Sequence, residues 1–165
     1  MPPLGKGGAP PTKLIALTFD DGPFSHTDEL LSILENYNAH ATFFVTGENT
    51  TRYPKQAYKI QEAGHDIGNH SWSHTALNNA ALDKIRQELS KSSAAISAIT
   101  GKDPTLFRAP FLSYSENLTQ VAKEMGMSII GTQIFSMDWE NIGHEQVASN
   151  VIHSAKDGGI ILDLS

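Results

Sequence analysis

Two carboxylates stand side by side in Thr18-Phe19-Asp20-Asp21-Gly22-Pro23, and two histidines four positions apart lie in Asn69-His70-Ser71-Trp72-Ser73-His74. Imidazole nitrogens and carboxylate oxygens are ligands for a divalent ion. A set of two histidines and one carboxylate leaves coordination positions open for water and substrate, as hydrolytic rather than structural sites do. Residues four apart share one face of a helical turn, so the spacing predicts that His70 and His74 reach a common ion. Consecutive side chains of an extended segment point to opposite sides. One of Asp20 and Asp21 can therefore ligate the ion while the other acts as a base on the attacking water. Taken alone, Asp-Asp-Gly-Pro is a polar turn and the histidine pair a surface feature; the case rests on their coming together.

Such residues need a frame, and short apolar runs alternating with amphipathic stretches supply one. Strands are predicted at residues 14–19, 41–45, 66–68, 106–107, 128–130, 133–135 and 159–164. Helices are predicted at residues 27–37, 54–63, 81–99, 116–125 and 145–155. In the longest helix Leu82, Ile85, Leu89, Ile96 and Ile99 form an apolar stripe, closed by Gly101. Strand-helix alternation implies a parallel sheet, because parallel neighbours need crossover connections. Asp20, Asp21, Asn69, His70, Arg108 and Asp138 all follow apolar runs, where parallel α/β folds place their sites.

Composition removes several classes. With 165 residues the chain suits one domain, and 39% hydrophobic with 18% charged residues is a globular composition. A net charge of -6 and scattered basic residues argue against nucleic acid, and no apolar run is long enough for a membrane span. There is no cysteine, so a metal must sit on His, Asp or Glu. Residues 1–12 are rich in Pro and Gly and lack the apolar core of a secretory signal; they read as a linker before a domain spanning residues 13–165.

The stretches Thr-Phe-Asp-Asp-Gly-Pro at 18–23, Asn-His-Ser-Trp-Ser-His at 69–74, Arg-Ala-Pro-Phe at 108–111 and Asp138-Trp139, in this order, resemble the polysaccharide deacetylases of carbohydrate esterase family four, the NodB-homology domain. The resemblance implies a distorted (β/α) barrel with fewer than eight strands and hydrolysis of acetyl groups from a polysaccharide. It implies Asp20 as general base and Asp21, His70 and His74 as ligands of one divalent ion, with zinc, cobalt and nickel all compatible. It implies that Arg108 pairs with Asp20, that Asp138 holds Arg108, that the N–H of Phe111, after Pro110, helps hold the oxyanion, and that Trp139 walls the acetyl pocket.

The pattern departs from the family in three places. Phe111 stands where relatives carry tyrosine, Phe135 where they carry an aspartate, and Leu164 where a strand ending Leu-x-His would provide the general acid. Either the terminus is altered or truncated, or another group supplies the proton, with His26 and His153 as candidates on the surface. Amide hydrolysis needs that proton more than ester hydrolysis does, which favours O-acetylated xylan over chitin or peptidoglycan. A sugar-binding domain that no longer turns over is the rival from another class. The expected setting is extracellular, acting on an acetylated polysaccharide, with room for partner modules of a multidomain secreted enzyme.

Overall fold

The computed structural model describes residues 14–164; the Pro/Gly-rich segment at 1–12 lies outside them. Seven strands, β1 (Ile15–Asp20), β2 (Ala41–Val45), β3 (Asp66–Asn69), β4 (Leu106–Phe107), β5 (Ser128–Ile129), β6 (Ile134–Phe135) and β7 (Gly159–Leu164), form one sheet. Its order is β5-β4-β3-β2-β1-β7-β6 and every pairing is parallel. The sheet curls into a barrel of fewer than eight strands, as expected, and β5 and β6, neighbours in sequence, are its two unpaired edges among the described residues.

Six α-helices wrap it: α1 (Thr27–Asn36), α2 (Gly47–Arg52), α3 (Pro54–Glu62), α4 (Leu82–Thr100), α5 (Glu116–Glu124) and α6 (His144–Ser154). Helix α4 ends on Gly101, whose φ of +70 lies in the left-handed region that glycine adopts without steric cost. Of its expected stripe, Ile85, Leu89 and Ile96 are buried, while Leu82 is exposed and Ile99 only half-buried. The same buried face carries Glu88, Ser92 and Ser93. Helix α2 was not foreseen: Gly47-Glu48-Asn49-Thr50-Thr51-Arg52 has no apolar periodicity, and a cap starts it, with Thr46 Oγ1 accepting from Asn49 N at 3.2 Å.

Two apolar clusters pack the barrel walls. Phe19, Leu34, Phe43, Val45, Ile60 and Ile96 fill the space under α1, α3 and α4. Leu77, Ile85, Leu89, Phe107, Leu118 and Val121 fill that between α4, α5 and β4. At the carboxyl ends of β1, β3 and β7 the pattern changes, and polar Asp20, Asn69 and Asp163 appear within the packed layer.

Candidate active site

Strand β1 delivers the two carboxylates in different ways. Asp20 is its last residue and is 4% exposed. Asp21 leaves the strand with φ at +70, in the left-handed region where Asp is one of the residues that tolerate it. Two bonds secure that turn: Asn49 Nδ2 of α2 donates to Asp21 O at 2.7 Å, and Thr46 N donates to Gly22 O at 3.1 Å. The unforeseen helix thus has a task, which is to hold the backbone of Asp21.

The histidines meet by a route that their spacing did not predict. Residues 70–74 form an irregular loop after β3, not a helical turn, and Ser71 (φ +66) and His74 (φ +54) are left-handed. Short polar residues tie the loop down. Asn69 Oδ1 accepts from Ser71 N at 2.8 Å, and Ser71 Oγ accepts from His74 N at 3.1 Å. Buried Glu88 of α4 accepts from Trp72 N at 3.1 Å and Ser73 N at 2.9 Å. Burial works against its charge, but Lys84 and Ser73 hydrogen bonds prevail and hold the Glu88 carboxyl below its usual range. Glu88 falls inside the apolar stripe between Ile85 and Leu89, and a charge placed there was the one sequence sign of this role.

The result is a compact ligand set. Asp21 Oδ1 lies 3.1 Å from His74 Nε2 and 3.4 Å from His70 Nε2, and one ligand atom from each residue lies within 4.8 Å of the others. His70 Nδ1 is 2.8 Å from Arg108 O; a carbonyl only accepts, so Nδ1 carries the hydrogen and Nε2 is left with its lone pair toward Asp21 and His74. Asp21 Oδ1 is buried without a hydrogen-bond partner. A buried acceptor facing two imidazole nitrogens fits a cation, and with one carboxylate and two imidazoles the donor set suits a divalent transition metal. Burial opposes ionisation of Asp21, yet the imidazoles of His70 and His74 beside it outweigh that and lower its pKa below the ordinary value. Burial also lowers the pKa of His74. Both directions favour the forms that bind metal.

Asp20 sits beside this set, with Oδ2 3.8 Å from His70 Nε2 and Oδ1 2.7 Å from Arg108 Nη1. Burial raises its pKa, against the opposing pull of His70 and Arg108, so its basicity is increased. Arg108 is wholly buried. Its Nη1 also donates to Thr18 Oγ1 at 2.7 Å, its Nε to Ile130 O at 3.2 Å and its Nη2 to Gly131 O at 3.2 Å. Its Cζ lies 4.2 Å over the Phe44 ring. Gly68 makes room for that ring, since a Cβ there would come within 2.6 Å of it.

The expected contact between Asp138 and Arg108 is not formed. Asp138 lies in a 3-10 turn (Asp138–Glu140), where its Oδ1 accepts from Ser136 Oγ at 2.9 Å and its Oδ2 from Leu164 N at 3.0 Å. The carbonyls of Ile130 and Gly131 accept from Arg108 instead, so the arginine has acceptors although Phe135 stands where relatives carry an aspartate.

A cavity of about 370 Å³ opens above these groups, lined on one side by Asp20, Asp21, His70 and His74 and on the other by Phe135, Trp139, Leu162 and Leu164. Phe111 and Leu112 complete it, Phe111 with φ at +58 and its ring edge-on to His74 at 4.7 Å between centroids. Pro110 is buried and lines no part of it, and Asp138 faces a separate groove. His26 and His153 are exposed and outside the lining. Thr18 and Leu162 were not singled out as site residues by sequence; both lie in strands read as framework.

A three-ligand set next to a buried, arginine-paired carboxylate, at the carboxyl ends of a parallel barrel, is an arrangement suited to metal-assisted hydrolysis. The chain matches the family described as Polysaccharide deacetylase over residues 7–130, and it belongs to that family. It is 33% identical over 152 residues to a peptidoglycan-N-acetylglucosamine deacetylase of Bacillus cereus, covering 92% of this chain and 55% of the relative. It is 34% identical over 154 residues to the peptidoglycan-N-acetylmuramic acid deacetylase PdaC of Bacillus subtilis, covering 93% and 32%. The solved structure of the Bc1960 peptidoglycan N-acetylglucosamine deacetylase superposes with a TM-score of 0.90 at 33% identity, covering 94% of this chain and 74% of that one. The chain thus spans just over half of the first of these curated relatives and about a third of the second.

Proposed function

We propose that this domain removes N-acetyl groups from amino sugars of a peptidoglycan-type glycan, outside the cell. The observation that carries the reading is the Asp21–His70–His74 set lying against the Asp20–Arg108 pair on one wall of a single cavity. The substrate class is supported by the relatives, which are named for peptidoglycan N-acetyl groups. They favour this over the O-acetylated xylan expected from the loss of the general acid.

Asp21, His70 and His74 hold a divalent ion such as zinc, cobalt or nickel. When bound, the ion supplies Lewis acidity to the acetyl carbonyl and makes water more acidic. Asp20 takes the proton from the attacking water, and Arg108 keeps that carboxylate oriented and paired. The N–H of Phe111 is assigned to the carbonyl oxygen as its charge develops. Trp139, Leu162 and Leu164 wall the methyl group and exclude water. Leu164 has no proton to give, so Asp20 returns its proton to the nitrogen as the C–N bond breaks, leaving an amine and acetic acid, which ionises to acetate.

The test is acetate release from N-acetylglucosamine oligomers, peptidoglycan fragments and acetylated xylan, before and after chelation. Faster turnover of xylan, or activity indifferent to chelator, would overturn the proposal. The presence of Leu164 in the cavity favours a second reading, a sugar-binding domain without turnover. Oligosaccharide binding with no acetate released from any substrate would establish that one instead.

A further inference from the structure

Strand alternation sends the last residues of β7 to opposite faces of the sheet. Leu162 and Leu164 face the cavity, whereas Asp163 faces the groove beside α6, which Asp138, Asn141, His144 and Val147 also line. There Asp163 and Asp138 converge. Ser136 Oγ lies 2.9 Å from Asp138 Oδ1 and 3.0 Å from Asp163 Oδ1. Leu164 N lies 3.0 Å from Asp138 Oδ2 and 3.1 Å from Asp163 Oδ1.

Hydrogen counting makes this arrangement informative. The serine hydroxyl has one hydrogen and the amide has one, while a carboxylate only accepts. Two hydrogens serve these four contacts only if each is shared between two acceptors, and two ionised carboxylates this near repel each other. A third hydrogen, carried by one of the two carboxyls, removes that repulsion and can be given to Ser136 Oγ, so that the hydroxyl need serve only one of the two acids.

We infer that Asp163 is a positioning residue: it shares a proton with Asp138, and the protonated pair clamps the turn that carries Trp139 onto the end of β7. Trp139 follows Asp138 directly and walls the cavity, so the clamp sets the shape of the proposed acetyl pocket; the inference rests on that reading of the cavity only for its effect on turnover. Burial first, then the hydrogen bond and charge of Asp138, push the Asp163 carboxyl up to about 6, so the clamp loosens as pH rises past that value. Other groups facing the pair are few. The segment after β6 contributes Ser136, β1 presents Phe19 opposite Asp163, and His144 of α6 is the one further titratable side chain in the groove among the described residues.

The chain has two tryptophans, so its indole N–H groups give two NMR signals, and Trp139→Phe assigns them. In the unliganded wild type the Trp139 signal should titrate between pH 5 and 7.5 with a midpoint near 6, and Asp163→Asn should abolish the transition. Asp138→Asn removes the other half of the pair and should do the same, which keeps the test available if either variant folds poorly. In turnover, KM of the wild type should rise several-fold across that range with little change in kcat, and Asp163→Asn should flatten the rise. A Trp139 transition that survives in the folded variants, or no transition in the wild type, overturns the inference. The NMR readout needs no substrate, so it stands apart from the outcome of the acetate assays.

Discussion

The two walls of the cavity are built on opposite principles. On the β1–β3 side the polar residues are anchored: Asp20 to Arg108, Asp21 to Asn49 through its backbone, His70 to the Arg108 carbonyl and the histidine loop to Glu88. On the β6–β7 side Phe135, Trp139, Leu162 and Leu164 offer apolar surface, and the polar groups behind them, Ser136, Asp138 and Asp163, face away from the cavity. The first wall can hold charge and move a proton. The second can shape a pocket and exclude water but cannot donate to a leaving group. The difference teaches that the chemistry is concentrated in one half of the barrel, and it orders the ways of testing it.

The largest effect should come from breaking the charged wall at its base. Asp20→Asn removes the proton acceptor while keeping shape, and acetate release should fall by about 10²- to 10⁴-fold in kcat with metal content retained. His74→Ala should instead abolish stoichiometric metal binding, measured directly on the protein, along with activity. Loss of activity without loss of metal in the second variant would place the ion elsewhere.

Next is the buried pair itself. Arg108→Met takes the arginine away from Asp20 in a site where Asp20 is 4% exposed, and strips donors from the Ile130 and Gly131 carbonyls. Removing one partner of such a pair costs about 3–5 kcal/mol, to be read from denaturant unfolding. An unchanged midpoint would mean that the pair does not support the fold.

The opposite wall is sharpened rather than broken by Leu164→His. Leu164 N is already fixed on Asp138 Oδ2, so the new imidazole extends from an anchored backbone at the cavity edge. Turnover of N-acetyl substrates should rise by about tenfold or more, and that of O-acetyl substrates by less, because an amine leaves only when protonated. Equal gains on both would show that departure of the leaving group is not what the apolar wall limits.

The two walls were not equally legible in the sequence. Strand β2 and the parallel α/β architecture follow from apolar runs with their turn signals, and the adjacent aspartates and paired histidines advertised a ligand set. The geometry joining the histidines did not follow from their spacing, because left-handed Ser71 and the reach of Glu88 from α4 are tertiary features. Helix α2 escaped notice because its work is capping and backbone support, which leave no hydrophobic period. On the second wall, Asp138 was assigned to Arg108 by resemblance alone. The partners it has in the structure are Ser136, just after β6, and Leu164 of β7, brought together by a register that no local pattern encodes.

The smallest effect tests whether the hidden acid of the apolar wall matters to the fold. The Asp163 carboxyl is raised from 3.8 to about 6 in the folded chain, with burial as the first cause and Asp138 as the second. A raised folded value means that the native state holds the proton more tightly than the unfolded state. The stability this gives is fully present below the unfolded value and is lost as pH climbs through the folded one. Between about pH 4 and 6 the wild type should therefore lose stability that Asp163→Asn keeps. Because Asp163 is only half-buried, solvent screening holds the difference to no more than about 2 kcal/mol. Unfolding curves at pH 4.5 and 7 for both proteins measure it. If the variant loses as much as the wild type over that interval, the proton belongs to some other group, and the clamp behind Trp139 loses its thermodynamic support.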